Sequence, residues 1–221
     1  MNTNTGRVTL TLFYGGMFVV WYLITLVITL LPNFSQLRSS GLLVPVICLF
    51  ETAVLWPLYH FYCTRRHDIP FGQLRRNLTL CFIAALILLM LVQSWVLQPE
   101  AWLEQQSQQS RPMVLILLFS AVILAPIFEE ILFRGFLLQG MLLWLPKSPL
   151  ACMILTSILF ALLHTQYVHL QTMIMLMLFS LLLCYARLKS GSLILPIFLH
   201  MLNNLVALLP ALYATVLAGN S

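Results

Sequence analysis

Charge is scarce in this sequence, and acidic charge is scarcest. Only 6 of the 221 residues are Asp or Glu, and charged residues make up 8% of the chain, whereas 61% are hydrophobic. Soluble domains carry about 25% charged residues, so the composition excludes an ordinary soluble globular protein. Apolar runs fill almost the whole chain and leave no room for a soluble domain. We therefore expect a single integral membrane domain over residues 1–221.

Cysteine pairs and basic clusters are also missing. The cysteines are scattered, and none belongs to a CxxC pair: Cys48, Cys63, Cys81, Cys152 and Cys184. We expect them to pack as small apolar residues, and predict neither a disulfide framework nor a thiolate metal site. The 11 Lys and Arg residues form no patch or arm. No nucleic-acid partner is expected.

Seven apolar segments lie between clusters of proline, glycine, serine and charged residues. They cover residues 8–31, 42–63, 77–97, 113–144, 150–164, 168–186 and 192–217. A membrane-spanning helix needs about 20 residues, and the fourth segment would reach about 48 Å, so it must tilt, protrude or break in two. The sequence predicts an all-α polytopic transmembrane helix bundle of about seven to eight spans. The first segment is longer than a signal-peptide core and is expected to remain as a span.

The basic residues predict an orientation. With a cytoplasmic amino terminus and seven crossings, two basic residues, Arg38 and Arg111, lie on the outer side. The cytoplasmic side then carries the other eight outside the membrane: Arg7, Arg65, Arg66, Arg75, Arg76, Lys147, Arg187 and Lys189. This asymmetry is typical of a correctly oriented membrane protein. The short loops and small size favour a bacterial cytoplasmic membrane.

The stretch "PIFEEILFRGF", residues 126–136, places three charges inside the fourth apolar segment. Glu130 and Arg134 stand four apart, so they share a helix face and can pair. Glu129 points about 100° away and cannot join that stripe. Because a charge in hydrocarbon is costly, it needs a partner or a function of its own.

Two later segments carry matching polar residues. "FALLH" places Phe160 and His164 four apart, and "HMLNN" does the same for His200 and Asn204. Taken singly, each is explained as a hydrogen-bonded packing residue. Together with Glu129 they form the parts of a hydrolase. A carboxylate with a histidine can activate water, and a histidine with an asparagine can stabilise an oxyanion.

Two prolines precede these polar residues. Pro126 stands three residues before Glu129, and Pro196 four before His200. A proline inside a helix frees a backbone carbonyl, which in a membrane must be satisfied by protein or water. We expect both helices to kink beside a wet cavity, although transmembrane helices also tolerate proline.

The order EExxxR, FxxxH, HxxxN resembles the three motifs of the CPBP family. This family comprises CAAX prenyl endopeptidases and bacteriocin-processing or immunity proteins, and is also called the Abi family. The matching motif-bearing core covers about residues 113–209. The motif positions are Glu129, Glu130, Arg134, Phe160, His164, His200 and Asn204.

The resemblance implies an intramembrane endopeptidase that cleaves a membrane-associated protein or peptide in the lipid bilayer. Glu129 with His164 would hold and activate water, and His200 with Asn204 would form the oxyanion site. Structural support would come from Glu130, Arg134 and Phe160. We expect the cut to fall near the cytoplasmic membrane face. The substrate would be a prenylated CAAX peptide or, in bacteria, a leader peptide, a pheromone or a membrane-anchored protein.

Two points stay open at the level of sequence. A divalent metal such as zinc, if present, would be held by Glu129, His164 and His200, but HExxH is absent and a metal-free glutamate mechanism is favoured. The chain could instead be a non-catalytic membrane immunity or scaffold protein that keeps the motif for packing. A small transporter that relays protons through its buried Glu and His residues is a third alternative.

Overall fold

The computed structural model describes residues 4–98, 100 and 110–218, and in the last helix it describes side chains through Pro210 and at Tyr213. Most of the connector between the third and fourth apolar segments lies outside these residues. The described residues form helices and connecting loops, with no strand. The helices are α1 (Asn4–Thr29), α2 (Phe34–Ser39), α3 (Leu43–Arg65), α4 (Arg76–Val96), α5 (Arg111–Trp144), α6 (Pro149–Leu163), α7 (Leu170–Ser190) and α8 (Ile194–Ala218).

All seven predicted apolar segments form helices, and the predicted all-α fold is confirmed. Five helices, α1, α3, α4, α5 and α7, are long and apolar enough to cross a membrane. Two further apolar helices are shorter: α6 over Pro149–Leu163 and the stretch Ile194–Pro210 of α8. The chain is therefore a multi-pass membrane protein. The short α2 joins the first two spans and was not predicted.

The length of the fourth apolar segment would have allowed a break into two helices, but helix α5 is continuous. It runs for 34 residues, and two stretches inside it are π-helical, Ser120–Leu124 and Ile131–Leu137. In the first stretch the Ala125 N–H bonds to the carbonyl of Ser120, five residues back. The next donor in that pattern would be Pro126, which has no N–H. The carbonyl of Ala121 is thus left without its helical partner.

The α3–α4 loop, residues 66–75, folds back into the bundle. Ile69 is completely buried, and the carbonyls of Pro70 and Phe71 accept hydrogen bonds from the N–H groups of Leu193 and Ile194, at 3.2 and 3.0 Å. These contacts join the amino-terminal helices to the start of α8. The chain is thereby held together across more than 120 residues of sequence.

Glycine is required at one point of this loop. Gly72 has φ +74°, and an added Cβ would lie 2.5 Å from the side chain of Ser192. Both the left-handed backbone and the close approach exclude a larger residue. The loop can therefore lie flush against the α7–α8 turn.

A ring of aromatic side chains joins α1 and α3 to the motif helix. Phe136 of α5 is fully buried and contacts the rings of Tyr14, Tyr59 and Tyr62. The hydroxyls of Tyr14 and Tyr62 both donate to one carboxylate oxygen of Asp68, at 3.1 and 2.7 Å. The loop carboxylate is thereby anchored to two helices.

Candidate active site

Glu130 and Arg134 form the predicted pair, and both side chains are buried. Arg134 Nη1 donates to Glu130 Oε1 at 2.8 Å, and neither side chain is exposed. Arg134 Nη2 donates to the Ser180 hydroxyl at 2.7 Å, and its guanidinium lies 4.6 Å from the centre of the Phe160 ring. Because each charge is compensated, the pair is stable in the bundle interior. Ser180 on α7 was not predicted, since nothing distinguishes it in the sequence from a packing residue.

His200 joins this network through one ring nitrogen. Its Nδ1 lies 2.8 Å from Glu130 Oε1, the same oxygen that accepts from Arg134. With Arg134 donating to the same carboxylate oxygen, that oxygen acts as the acceptor for the Nδ1 proton, and this hydrogen bond fixes the ring orientation. Glu130 therefore does more than brace its own helix, because it also aims the Nε2 atom of His200.

Glu129 does not join the Glu130–Arg134 pair, as its position about 100° around the helix predicts. Its Oε2 atom lies 3.9 Å from His164 Nε2 and 3.9 Å from His200 Nε2. This oxygen is buried and has no hydrogen-bond partner among the described residues. The structure thus brings the three predicted residues together around a single carboxylate oxygen, at distances too long for direct hydrogen bonds.

His164 lies just beyond its helix and not inside it. Helix α6 ends at Leu163, so the prediction that His164 belongs to this apolar helix is wrong by one residue. Its Nδ1 lies 2.7 Å from the Phe160 carbonyl, and its ring lies 4.4 Å from the Phe160 ring. The free carbonyls of a helix end accept such donors, so the end of α6 fixes the imidazole. The FxxxH spacing is thus a helix-end contact.

Asn204 satisfies the carbonyl that Pro126 frees. Its Nδ2 donates to the Ala121 carbonyl at 2.9 Å, one turn beyond His200 on α8. The side chain thereby ties α8 to the π-helical stretch of α5. The prediction that Pro126 frees a backbone carbonyl is borne out by this contact, with protein rather than water as the partner.

The expected kink at Pro196 is wrong. Helix α8 begins at Ile194, so Pro196 lies in its first turn, where the missing N–H has no helical acceptor to lose. His200 is therefore on a regular part of α8. The prediction failed because it took the apolar segment to begin at residue 192, two residues before the helix starts.

Glu100 stabilises the loop that carries His164, a role that no sequence pattern predicted. The Thr172 hydroxyl and the Val168 N–H donate to its two carboxylate oxygens, at 2.7 and 3.2 Å. Burial raises the pKa of Glu100, but these hydrogen bonds and the neighbouring His169 outweigh it and hold the pKa below its usual value. The carboxylate thus fastens the start of α7 to the connector before α5.

The predicted metal donors are spaced more widely here than the ligands of one zinc ion. Two donors on one tetrahedral zinc, with bonds of about 2.0–2.1 Å, lie about 3.3 Å apart. Here each imidazole Nε2 is 3.9 Å from Glu129 Oε2. In the part of the chain that the structure describes, no group of three His, Cys, Asp or Glu residues is placed to hold a metal ion.

The three motifs on a bundle of membrane helices resemble those of the CPBP family, and comparison with known proteins supports this resemblance. Residues 111–206 match the family model described as type II CAAX prenyl endopeptidase Rce1-like. This range contains all three motifs, so the resemblance to the CPBP family is confirmed over these residues.

One curated relative extends the comparison. An uncharacterized 24.3 kDa protein of Escherichia coli is 39% identical over 101 residues, which are 43% of this chain and 44% of the relative. The match thus spans less than half the length of that relative. No solved structure matches the chain.

Proposed function

We propose that this chain is an intramembrane endopeptidase that hydrolyses a peptide bond of a membrane-associated protein or peptide. One observation carries the proposal: two imidazole Nε2 atoms each lie 3.9 Å from the same buried oxygen of Glu129. Both rings are held from behind by their Nδ1 atoms. A packing role would not need two imidazoles aimed at a carboxylate oxygen that they do not reach.

Glu129 acts as the general base in this proposal. A gap of 3.9 Å between two polar atoms can be bridged by one water molecule that hydrogen-bonds to both. His164 donates its Nδ1 proton to the Phe160 carbonyl, so the neutral ring presents an unprotonated Nε2 towards Glu129. Water held between these two groups loses a proton to Glu129 as its oxygen attacks the peptide carbonyl carbon.

His200 stabilises the oxyanion that this attack creates. In this proposal His200 carries a proton on both ring nitrogens: Nδ1–H donates to Glu130, and Nε2–H donates to the new negative charge. Asn204 has a second N–H beyond the one bound to Ala121, and this N–H is its contribution to the oxyanion site. When the C–N bond breaks, the proton on Glu129 passes to the leaving nitrogen, and the products are a carboxylic acid, which keeps the second proton of the water, and an amine.

Arg134 and Glu130 are positioning residues in this scheme. They do not touch the substrate, and they act through the orientation and charge of His200. The mechanism needs only these side chains and water, so we propose that it proceeds without a metal. The family model's CAAX prenyl endopeptidase description supports peptide hydrolysis as the reaction class.

Glu129→Gln tests the proposal because it keeps the shape and removes the base. Loss of a general base typically lowers the rate about 10²- to 10⁴-fold. Peptides that accumulate in the membranes of cells expressing the wild-type chain should therefore vanish in the variant, at equal protein levels. Asp68→Asn is the control for loss of a carboxylate elsewhere, since Asp68 lies in the α3–α4 loop, where one of its oxygens accepts from the hydroxyls of Tyr14 and Tyr62.

The control should cleave as the wild type does. Retained cleavage by Glu129→Gln would refute the glutamate mechanism. A non-catalytic immunity or scaffold protein would keep its biological activity in the same variant.

A further inference from the structure

A narrow groove lies on the surface between α1 and α3, away from the proposed catalytic residues. Its volume is about 200 Å³, and its walls include Leu10, Phe13, Phe61, Tyr62, Arg65 and Arg66. Tyr62 is 7% exposed, whereas Phe13 and Phe61 are 38% and 55% exposed. The groove therefore has an apolar floor and rim, and its charge is confined to the end formed by the two arginines.

The antiparallel packing of α1 and α3 brings a third arginine to this end. Phe13 of α1 stacks on Tyr62 of α3 with 4.9 Å between ring centres, while Thr25 further along α1 bonds to Glu51 at 2.8 Å. The residue number on α3 thus falls as the number on α1 rises, so the start of α1 lies beside the end of α3. Arg7 is in the first turns of α1 and therefore lies near the basic end of the groove.

These arginines have no acidic partner. Within the described part of the chain, no salt bridge includes Arg7, Arg65 or Arg66. Asp68 follows closely in the sequence, but one of its oxygens accepts from two tyrosine hydroxyls and the other is buried. The Arg65 guanidinium is held 3.8 Å from the centre of the Phe61 ring, at the mouth of the groove. Positive charge is thus fixed beside an apolar surface without a counter-charge from the protein.

We infer that this groove binds one anionic phospholipid, with its phosphate on the arginines and an acyl chain along the apolar wall. Guanidinium groups bind phosphate oxygens through paired hydrogen bonds, and basic pockets between transmembrane helices bind lipid head groups. One turn of a partner helix, about 10 Å wide and 5.4 Å long, occupies about 400 Å³ and is too large for the groove. A small free anion would leave the apolar wall uncovered.

A lipid in this groove stabilises the wall against which the motif helix packs. Phe13 contacts Phe136 of α5 edge to face, with 5.9 Å between ring centres. Phe136 is two residues beyond Arg134. Because a ligand that binds the folded chain raises its stability, lipid binding is measurable as a rise in melting temperature.

The test adds phosphatidylglycerol to the purified full chain in neutral detergent and follows the melting temperature against lipid concentration. The double variant Arg65→Gln/Arg66→Gln should need about 30 times as much lipid for the same shift, since each basic residue near a head group contributes about fivefold in affinity. Arg75→Gln/Arg76→Gln is the matched control, because it removes the same charge from exposed residues that do not line the groove. The control should respond as the wild type does. Equal responses of the two double variants, or no response of the wild type, would overturn the inference.

A second variant tests the apolar wall with all the arginines in place. Leu10→Trp fills the groove and should weaken the response to phosphatidylglycerol; this variant decides the question if Arg65→Gln/Arg66→Gln does not accumulate. An undiminished response of Leu10→Trp would overturn the inference. Phosphatidylcholine, which carries no net charge, and inorganic phosphate, which has no acyl chain, should each shift the wild type less than phosphatidylglycerol does. An equal shift by phosphatidylcholine would show a site for any lipid chain, and an equal shift by inorganic phosphate a site for a small anion, and either result would overturn the inference.

Discussion

Replacing Arg134 with methionine is the sharpest test of what holds the site together. Met keeps an unbranched side chain but removes the bonds to Glu130 and to the Ser180 hydroxyl, at 2.8 and 2.7 Å, and the cation over the Phe160 ring. The Glu130 carboxylate then lies in a fully buried place without its counter-charge. Among the described residues, His200 Nδ1 is then the remaining hydrogen-bond partner of that oxygen.

The size of the effect follows from burial. Removing one partner of a buried ion pair costs about 3–5 kcal/mol, because the other charge is left uncompensated. For a chain of 221 residues, each kcal/mol shifts the melting temperature by about 2–4 °C. Arg134→Met should therefore lower the melting temperature by about 6–20 °C. Adding Glu130→Gln removes the stranded charge and should recover at least about 1 kcal/mol.

Thermal unfolding of the purified protein in detergent, followed by tryptophan fluorescence, measures these shifts. Glu129→Gln is the contrasting variant, since its buried oxygen accepts no hydrogen bond from the described residues, and its melting temperature should change by less than about 2 °C. A small shift for Arg134→Met, or a double variant less stable than the single one, would refute the reasoning. Equal losses of melting temperature for Arg134→Met and Glu129→Gln would show that Glu129 contributes as much to stability as the Glu130–Arg134 pair does.

Three further changes test the framework of the site by melting temperature. Glu100→Gln should lower the melting temperature most near a pH of about 7 and less towards about 3. The pKa of Glu100 is lowered in the folded chain, so the stabilisation by its carboxylate is lost as the pH falls through that pKa. A shift in melting temperature that did not change with pH would contradict this. Gly72→Ala should lower the free energy of unfolding by more than Gly191→Ala, for which about 1–2 kcal/mol is expected. Both glycines have positive φ, but an added Cβ meets Ser192 at Gly72 and open space at Gly191. Equal shifts in melting temperature would contradict the close contact at Gly72. Asn204→Leu should cost about 1–3 kcal/mol by leaving the Ala121 carbonyl unpaired, and a neutral effect would show that this hydrogen bond contributes nothing.

The helical bundle could be predicted because a membrane restricts the choice of structure so severely. Apolar length alone located every major helix, since a segment in lipid must satisfy its own backbone. The same rule could not separate the short α6 from a complete span or reveal the π-helical stretches of α5. Those depend on backbone hydrogen-bond registers, which hydropathy does not encode.

The candidate site was predictable in its residues but not in its connections. The four-residue spacing of Glu130 and Arg134 predicted their bond, and the neighbouring position of Glu129 predicted its different direction. Spacing within one helix cannot show that His200 from a distant helix would share the same oxygen as Arg134. The role of Glu100 was likewise invisible, because its partner Thr172 is 72 residues away.

The distribution of the site over α5, the end of α6 and α8 also sets the time at which activity can arise. His200 is on the last helix, and the start of that helix is held by the α3–α4 loop from the first half of the chain. A chain still being synthesised can insert its earlier helices, place Glu129 and His164, and yet have no oxyanion donor. The proposed protease is therefore inert until its final helix enters the membrane, which protects neighbouring nascent proteins from premature cleavage.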